Sequence, residues 1–475
     1  MAKTTRIAVV TSPGLTHLVP ILEFSKRFLE LHPNFHVTCM IPSLGPHPDS
    51  TKSYLQTLPS NIHSILLPSI NKQDLPQGAY PGVLIQKTVT RSLPSIRETL
   101  KSLTLREPLA ALIADAYAFE ALSFAKEFNF LSYIYFPSAV MALSLCLHLP
   151  KLDEQVTGEY KDLKHPIYLP GCVPVFGRDL PFPMQNRSSD AYKLYLERSK
   201  GFSNGNGFII NSFLELESAA MKALAKEKSC FSFYAVGPIT QKRSSSNDGD
   251  EELECLRWLD KQPHSSVLYV SFGSGGTLSQ SAINELALGL ELSGQRFLWV
   301  LRAPSDSPSA AYLDNQKKED PLKFLPSGFL ERTKEKGLVL PSWAPQVQIL
   351  SHDSVGGFLS HCGWNSVLES VQVGVPIITW PLFAEQRMNA VLLVDGLKVA
   401  VRPNVGEDGV VEKEEISKVI KCLMEQDEGK AMRKRMEDLK AYAADAVKKD
   451  AGSSTHALSQ LATKWENFSE IEDNN

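Results

Sequence analysis

Long hydrophobic runs, an excess of basic charge and regularly spaced cysteines are all missing from this 475-residue chain. Its most apolar segment, residues 136–150, is broken by Ser138, Ser144 and His148, and it falls short of the roughly 20 residues a membrane-spanning helix needs. Residues 1–6 are polar and basic and the apolar stretch behind them is only strand-sized, so neither a secretory leader nor a membrane anchor is expected. The formal charge of -4 argues against a nucleic-acid or anionic-membrane partner, which would require a basic face, so any phosphate site must be local. Seven cysteines, scattered from Cys39 to Cys422, make neither a disulfide framework nor a zinc-pair spacing. A soluble enzyme of a reducing, cytoplasmic compartment is the expectation.

What is present is an alternation of short apolar strands with amphipathic helices. In the first half, strands are expected at 6–11, 36–41 and 109–114, with a helix at 19–30. In the second half, strands at 266–271, 296–301, 337–340, 355–360, 375–380 and 398–402 alternate with helices at 279–293 and 367–373. Helices at 413–425, 431–449 and 455–468 close the chain. Repeated βαβ units predict parallel, doubly wound sheets. The length accommodates two such domains, and residues 241–252, QKRSSSNDGDEE, contain no apolar side chain and read as the linker between them. The expected fold class is α/β, two facing doubly wound (Rossmann-like) domains with the ligand cleft between them. They would occupy residues 1–240 and 253–450, with a final helix over 451–475. A second polar loop, 303–320, is expected to be mobile or to act as a lid.

Residues 343–386 form the most informative stretch, WAPQVQILSHDSVGGFLSHCGWNSVLESVQVGVPIITWPLFAEQ. Strand 355–360 runs into His361-Cys362-Gly363-Trp364-Asn365-Ser366, a turn that starts a helix. A helix N-terminus offers unpaired N–H groups and a positive dipole end, and Gly363 lets a ligand approach the backbone, so a diphosphate suits it. Asn365 and Ser366 can cap and donate. Glu369 lies on the same helical face as Asn365, about 5.4 Å further along, and can accept two ribose hydroxyls. Trp343 presents a flat apolar face for a base, and Glu385 and Gln386, behind strand 375–380, suit sugar hydroxyls. Base, ribose, diphosphate and sugar of a nucleotide sugar each have a candidate partner.

In the first half, His17 follows the glycine turn after strand 6–11 and Asp115 ends strand 109–114. Both therefore belong to the carboxyl edge of a sheet, its usual ligand side. A carboxylate bonded to one imidazole nitrogen fixes the tautomer and leaves the other nitrogen as a general base. A lone histidine near a strand is more often structural, so spacing by itself does not decide its role. The loop Gly273-Ser274-Gly275-Gly276 lacks the Lys-Ser/Thr of a Walker motif and the full glycine fingerprint of a dinucleotide site. That disfavours a dinucleotide-dependent oxidoreductase; beside the 343–386 block the loop reads as a phosphate contact, with Ser274 its hydroxyl. A non-catalytic nucleotide-sugar-binding protein is the other alternative, and the presence of both His17 and Asp115 argues against it.

The 343–386 block resembles the plant secondary product glycosyltransferase box. Over nearly its whole length the chain resembles plant family 1 UDP-glycosyltransferases, in particular their hydroquinone glucosyltransferase (arbutin synthase) group. Ser12-Pro13-Gly14 with His17, TVTRSLPS at 88–95, YAVGP at 234–238 and SFGS at 271–274 carry the resemblance beyond the block. It implies a GT-B fold, a last helix that returns to the first domain, and a monomer. It also implies that His17 and Asp115 are a catalytic dyad, that Trp343 stacks on uracil and that Ala344 pairs with uracil through its backbone. Gln346 would contact the uridine, and Trp364 would offer its backbone to the sugar. Ser12 and Ser138 fall where the family contacts donor phosphate or the sugar's primary hydroxyl, and Gln386 goes with glucose.

The implied reaction is inverting transfer of glucose from UDP-glucose to a hydroxyl of a small aromatic acceptor. His361, Ser274, Asn365 and Ser366 would stabilise the leaving diphosphate, with UDP-glucose as co-substrate and neither a metal nor another cofactor expected. Asp248-Gly249-Asp250 matches a manganese-binding pattern of the other glycosyltransferase architecture, but a charge run in a polar linker reads as a solvated tether. Thr16 stands where many relatives have glycine, and Glu385 where some have Asp. Thr16, Phe119, Leu145 and residues 180–192 are candidates for the acceptor pocket, whose side chains do not identify the acceptor.

Overall fold

The structure, a computed structural model, describes residues 4–241, 250–309, 319–406 and 409–473, the side chains of 250–253 and 471–473 excepted. Most of the expected linker, Asp248 and Gly249 of the Asp-x-Asp match, and 310–318 of the expected lid lie outside the described residues. The chain forms two compact units. One comprises Met1–Arg178, Pro183–Gln241 and Ala443–Asn475, the other Asp179–Phe182 and Lys242–Tyr442. The return to the first unit therefore comes before the boundary at 450 expected from sequence. It falls inside the unbroken helix Asp427–Ala446, where no change of composition marks it. Asp179–Phe182 join the second unit because Asp179 pairs with Arg402 at 2.7 Å and the Phe182 N–H donates to the Ala384 carbonyl at 2.9 Å.

The first unit holds seven parallel strands: β1 Thr5–Val10, β2 Phe35–Ile41, β3 Ile62–Leu66, β4 Ala111–Asp115, β5 Leu131–Phe136, β6 Gly207–Ile210 and β7 Ser232–Ala235. They lie in the order β3-β2-β1-β4-β5-β6-β7. The second holds β8 Val267–Ser271, β9 Arg296–Leu301, β10 Gly337–Pro341, β11 Val355–Ser360, β12 Ile377–Thr379 and β13 Ala400–Val401, in the order β10-β9-β8-β11-β12-β13. All pairings are parallel. Helices cover both faces of such sheets, which is why the strands read as nearly continuous apolar runs. In β8, Leu268 and Val270 face one core with Leu290 and Ile420, while Val267 and Tyr269 face another with Ile349 and Phe358. Each sheet reverses its winding once, between β1 and β4 and between β8 and β11. Those switch points open crevices at the carboxyl ends of the strands, where such folds bind ligands.

Two helices begin earlier than the apolar period suggests. The helix expected at 19–30 spans Leu15–Leu31 and places His17 in its first turn. The helix expected at 367–373 spans Trp364–Val373 behind Gly363, so Asn365 and Ser366 lie inside it instead of capping it. In both, polar first-turn residues hide the start from a periodicity reading. The apolar segment 136–150 resolves into the end of β5 and the helix Val140–Gln155. Among the described residues no helix is long and apolar enough to cross a membrane.

The last helix, Ser453–Asp473, belongs to the core of the first unit. Trp465 has no exposed surface and packs its ring 5.0 Å from Phe28, 6.2 Å from Phe35 and 5.8 Å from Tyr133. Trp465→Ala is expected to cost about 3–5 kcal/mol, because a buried aromatic leaves a cavity that its neighbours fill only in part. Urea denaturation checks this, and a loss below about 1 kcal/mol contradicts the packing role.

Candidate active site

At the β1/β4 switch point, Val10 pairs with Ala114, so the residues that follow each strand meet. His17 Nδ1 lies 3.2 Å from Asp115 Oδ2. Asp115 Oδ1 accepts a short hydrogen bond from the Ser12 hydroxyl and one of 3.0 Å from the Tyr117 N–H. Asp115 is fully buried and His17 nearly so. Burial pushes the Asp115 carboxyl up, but the charge and hydrogen bond of His17 and the bonds from Ser12 and Tyr117 outweigh it and hold the carboxyl below its ordinary value. A carboxylate so held accepts a hydrogen bond from the Nδ1–H and leaves Nε2 as the basic nitrogen. The edge of the His17 ring meets Tyr117 at 5.2 Å and 89°.

Three neighbours depart from expectation. Ser12, placed by the resemblance at donor phosphate, is fully buried and spends its hydroxyl on Asp115. Leu145 has no exposed surface and cannot touch a ligand. Phe119 is buried against Phe202 and the backbone of Gly201, where an added Cβ would stand 2.2 Å from its ring. Both apolar residues are packing residues, a distinction that side-chain type does not reveal. Thr16 is partly exposed beside His17, and Ser138 is buried behind β5.

At the β8/β11 switch point, Ser271 pairs with Ser360, which sets the loop 272–277 beside the turn 361–363. The His361 imidazole lies between the two. A Cβ on Gly273 would come within 2.6 Å of it and one on Gly363 within 2.4 Å. Gly363 was expected to admit a ligand; its nearer duty is to make room for His361. Burial first, and then the charge of Arg302, lower the His361 pKa to about 4. The ring is therefore neutral at pH 7 and can stabilise an anion by donating a hydrogen bond, not by its charge. Its Nδ1 and Asn365 Oδ1 are buried without a hydrogen-bond partner among the described residues.

Along helix Trp364–Val373, Gln346 Nε2 donates both to the Ser366 hydroxyl at 2.8 Å and to Glu369 Oε2 at 2.7 Å. Burial pushes the Glu369 carboxyl up to about 7, with the Gln346 bond opposing. Trp343 is 65% exposed and offers its ring face, while Ala344 is buried next to it. Trp364 is buried. Gln386 Oε1 accepts from the Leu382 and Phe383 N–H groups at 2.8 and 2.9 Å, which leaves its amide N–H groups for a ligand. Glu385 occupies the N-cap position of helix Gln386–Val391 without a side-chain capping bond, and Ser274 is exposed at the tip of its loop.

Sequence reasoning missed Asn389, whose Nδ2 donates to the Cys362 carbonyl at 3.0 Å and so ties the His361 turn to helix Gln386–Val391. Its spacing from Gln386, one helical turn, was a usable signal. It also missed Tyr117 and Arg302, which no motif marks. Among the described residues no three His, Cys, Asp or Glu side chains form a metal-binding group.

Two parallel doubly wound units with a nucleotide-sugar constellation at one switch point define the class: a glycosyltransferase of the GT-B fold. The family described as "UDP-glucoronosyl and UDP-glucosyl transferase" matches residues 246–434. The hydroquinone glucosyltransferase of Rauvolfia serpentina is 50% identical over 469 residues, covering 98% of this chain and 99% of that one. A UDP-glucosyltransferase from Polygonum tinctorium capable of glucosylating indoxyl, solved with 3,4-dichloroaniline, superposes with a TM-score of 0.90 at 46% identity, covering 98% of this chain and 99% of that one. Phytolacca americana UGT2, solved with UDP-2-fluoro-glucose and pterostilbene, gives 0.89 at 44%, covering 98% and 100%. The chain belongs to the plant family 1 UDP-glycosyltransferases and is a UDP-sugar-dependent enzyme.

Proposed function

We propose that the enzyme is an inverting UDP-glucose-dependent glucosyltransferase acting on a phenolic or related hydroxyl of a plant small molecule. The observation that carries the reading is the buried Asp115 carboxylate on His17 Nδ1, a general-base arrangement in a family whose donor block is present. His17 Nε2 takes the acceptor's hydroxyl proton as the oxygen attacks the anomeric carbon. The bond from that carbon to the diphosphate breaks, and UDP leaves with the electron pair. Attack opposite the leaving group converts an α-linked donor into a β-glucoside. The imidazolium formed is stabilised by Asp115. The N-terminus of helix Trp364–Val373, the neutral His361 ring, Ser274, Asn365 and Ser366 stabilise the departing diphosphate, which is why no metal is invoked. Trp343 serves the base, Glu369 the ribose, and Glu385 and Gln386 the sugar. Neutral aromatic acceptors in the names of relatives support the phenolic class. Purified protein given UDP-glucose and a panel of phenols is expected to release UDP and form β-glucosides, with the anomeric configuration read by NMR. UDP binding without turnover on any member would favour a non-catalytic protein instead.

The raised Glu369 carboxyl gives this reading a pH signature. A carboxylate accepts ribose hydroxyls and its protonated form does so poorly. Affinity for uridine, which carries no titrating phosphate, is therefore expected to be level well above pH 7 and to weaken as pH falls through the Glu369 value of about 7. The loss approaches about tenfold per pH unit at the acid end. Glu369→Gln is expected to bind weakly at every pH. A wild-type affinity independent of pH between 5.5 and 8.5, measured by calorimetry, would refute the assignment.

A further inference from the structure

The loop 272–277 and the turn 361–366 contain no lysine or arginine, although the ligand assigned to them carries a diphosphate. Their donors are neutral hydroxyls, amides and an uncharged imidazole, joined by a helix dipole equivalent to about half a charge. A fixed cation comes from elsewhere. Arg302 directly follows β9, the strand beside β8, and so stands at the same carboxyl edge of the sheet. Its Nη1 donates to the Ser274 carbonyl at 2.6 Å. That bond also offsets a carbonyl dipole that would otherwise repel an anion at the loop. Arg302, Ser271, Gly273 and Thr277 line a small cavity beneath the loop.

Two other arginines of this unit have acidic partners, Arg332 with Glu291 and Arg402 with Asp179. Among the described residues no carboxylate forms an ion pair with Arg302, which is partly buried. Burial draws its pKa below the ordinary arginine value, opposed by Tyr269, yet a guanidinium stays charged at neutral pH. A partly desolvated cation without a counter-ion, one residue-length from a phosphate loop, is complete only when an anion arrives.

We propose that Arg302 is a positioning residue that supplies fixed positive charge to the donor's diphosphate, acting through the Gly273–Gly276 loop it holds by the Ser274 carbonyl. The inference rests on the UDP-sugar reading and adds to it the source of charge for a metal-free departure of UDP. Negative charge grows on the diphosphate as the glycosidic bond breaks, so the effect is larger in the transition state than in the ground state.

The test uses the full chain with Arg302→Gln, Arg302→Met and Arg302→Lys, titrated by calorimetry with UDP and with uridine and assayed for kcat. Both neutral variants are expected to lose about 30-fold in UDP affinity and at least as much in kcat, with uridine affinity unchanged. Only one N–H reaches Ser274, a contact an ammonium can reproduce, so Arg302→Lys is expected within about threefold of wild type on every measure. If the neutral variants bind UDP like wild type, or if Arg302→Lys is as weak as Arg302→Gln, charge is not the contribution and the proposal falls. A parallel loss for uridine would overturn it as well, pointing to a collapsed site. Wild-type protein that fails to bind UDP overturns the donor reading first, and this inference with it.

Discussion

His17→Ala is expected to lower kcat by about 10³- to 10⁴-fold while UDP affinity stays within about twofold of wild type. The base acts only when the acceptor's proton moves, and the donor's uridine and diphosphate are assigned to residues of the other unit. The split between kcat and UDP affinity is therefore as diagnostic as the size of the loss. Truncation of the imidazole leaves the Asp115 carboxylate without one of its three partners. A modest fall in thermal stability should accompany the kinetic change. Single-turnover rates with a phenolic acceptor, beside calorimetry with UDP, make the comparison. An unchanged rate would remove His17 from the mechanism, and an equal fall in UDP affinity would make it a structural residue.

Asp115→Asn is expected to be nearly as damaging, with a loss in kcat of about 10³-fold or more and little change in size or packing. An amide can accept from Tyr117 and Ser12 through one oxygen, but it then turns its NH₂ toward His17 Nδ1. That nitrogen must become the acceptor, the proton moves to Nε2, and the basic nitrogen is lost. Stability carries a second signature. Because the folded Asp115 carboxyl lies below its ordinary value, its contribution is complete above the unfolded carboxyl range near 4 and disappears as pH falls through the lower folded value. The Asn variant should therefore show a flatter acid limb in denaturation midpoints measured between about pH 6 and 3. Wild-type kcat in this variant, or an acid limb as steep as wild type, would separate Asp115 from the role given to it.

The parts legible in the sequence share one property: their signal is local. Parallel strands reveal themselves by apolar runs, so β1, β2, β4 and the strands of the second unit were readable to within a few residues. β3, β5, β6 and β7 were not, and Gly207–Ile210, for one, has too few residues to show a period. The expected strand at 398–402 shrinks to Ala400–Val401 at the sheet edge. The 343–386 block was legible because many of the residues assigned to a nucleotide sugar follow one another on a contiguous strand-turn-helix.

Tertiary structure decided what a contiguous motif cannot carry. It joined Ser12 and His17 to Asp115 across 103 and 98 positions, so that the Ser12 hydroxyl donates to the carboxylate. Burial made His361 neutral and Glu369 titrate near 7, and it sent Leu145 and Phe119 into the core. It brought Arg302 to the Gly273–Gly276 loop after the neighbouring strand, with no motif to announce it. Residue type and spacing state which chemistry is available. The dielectric, the partner and the exposure that select among those possibilities arise only when distant strands pack side by side.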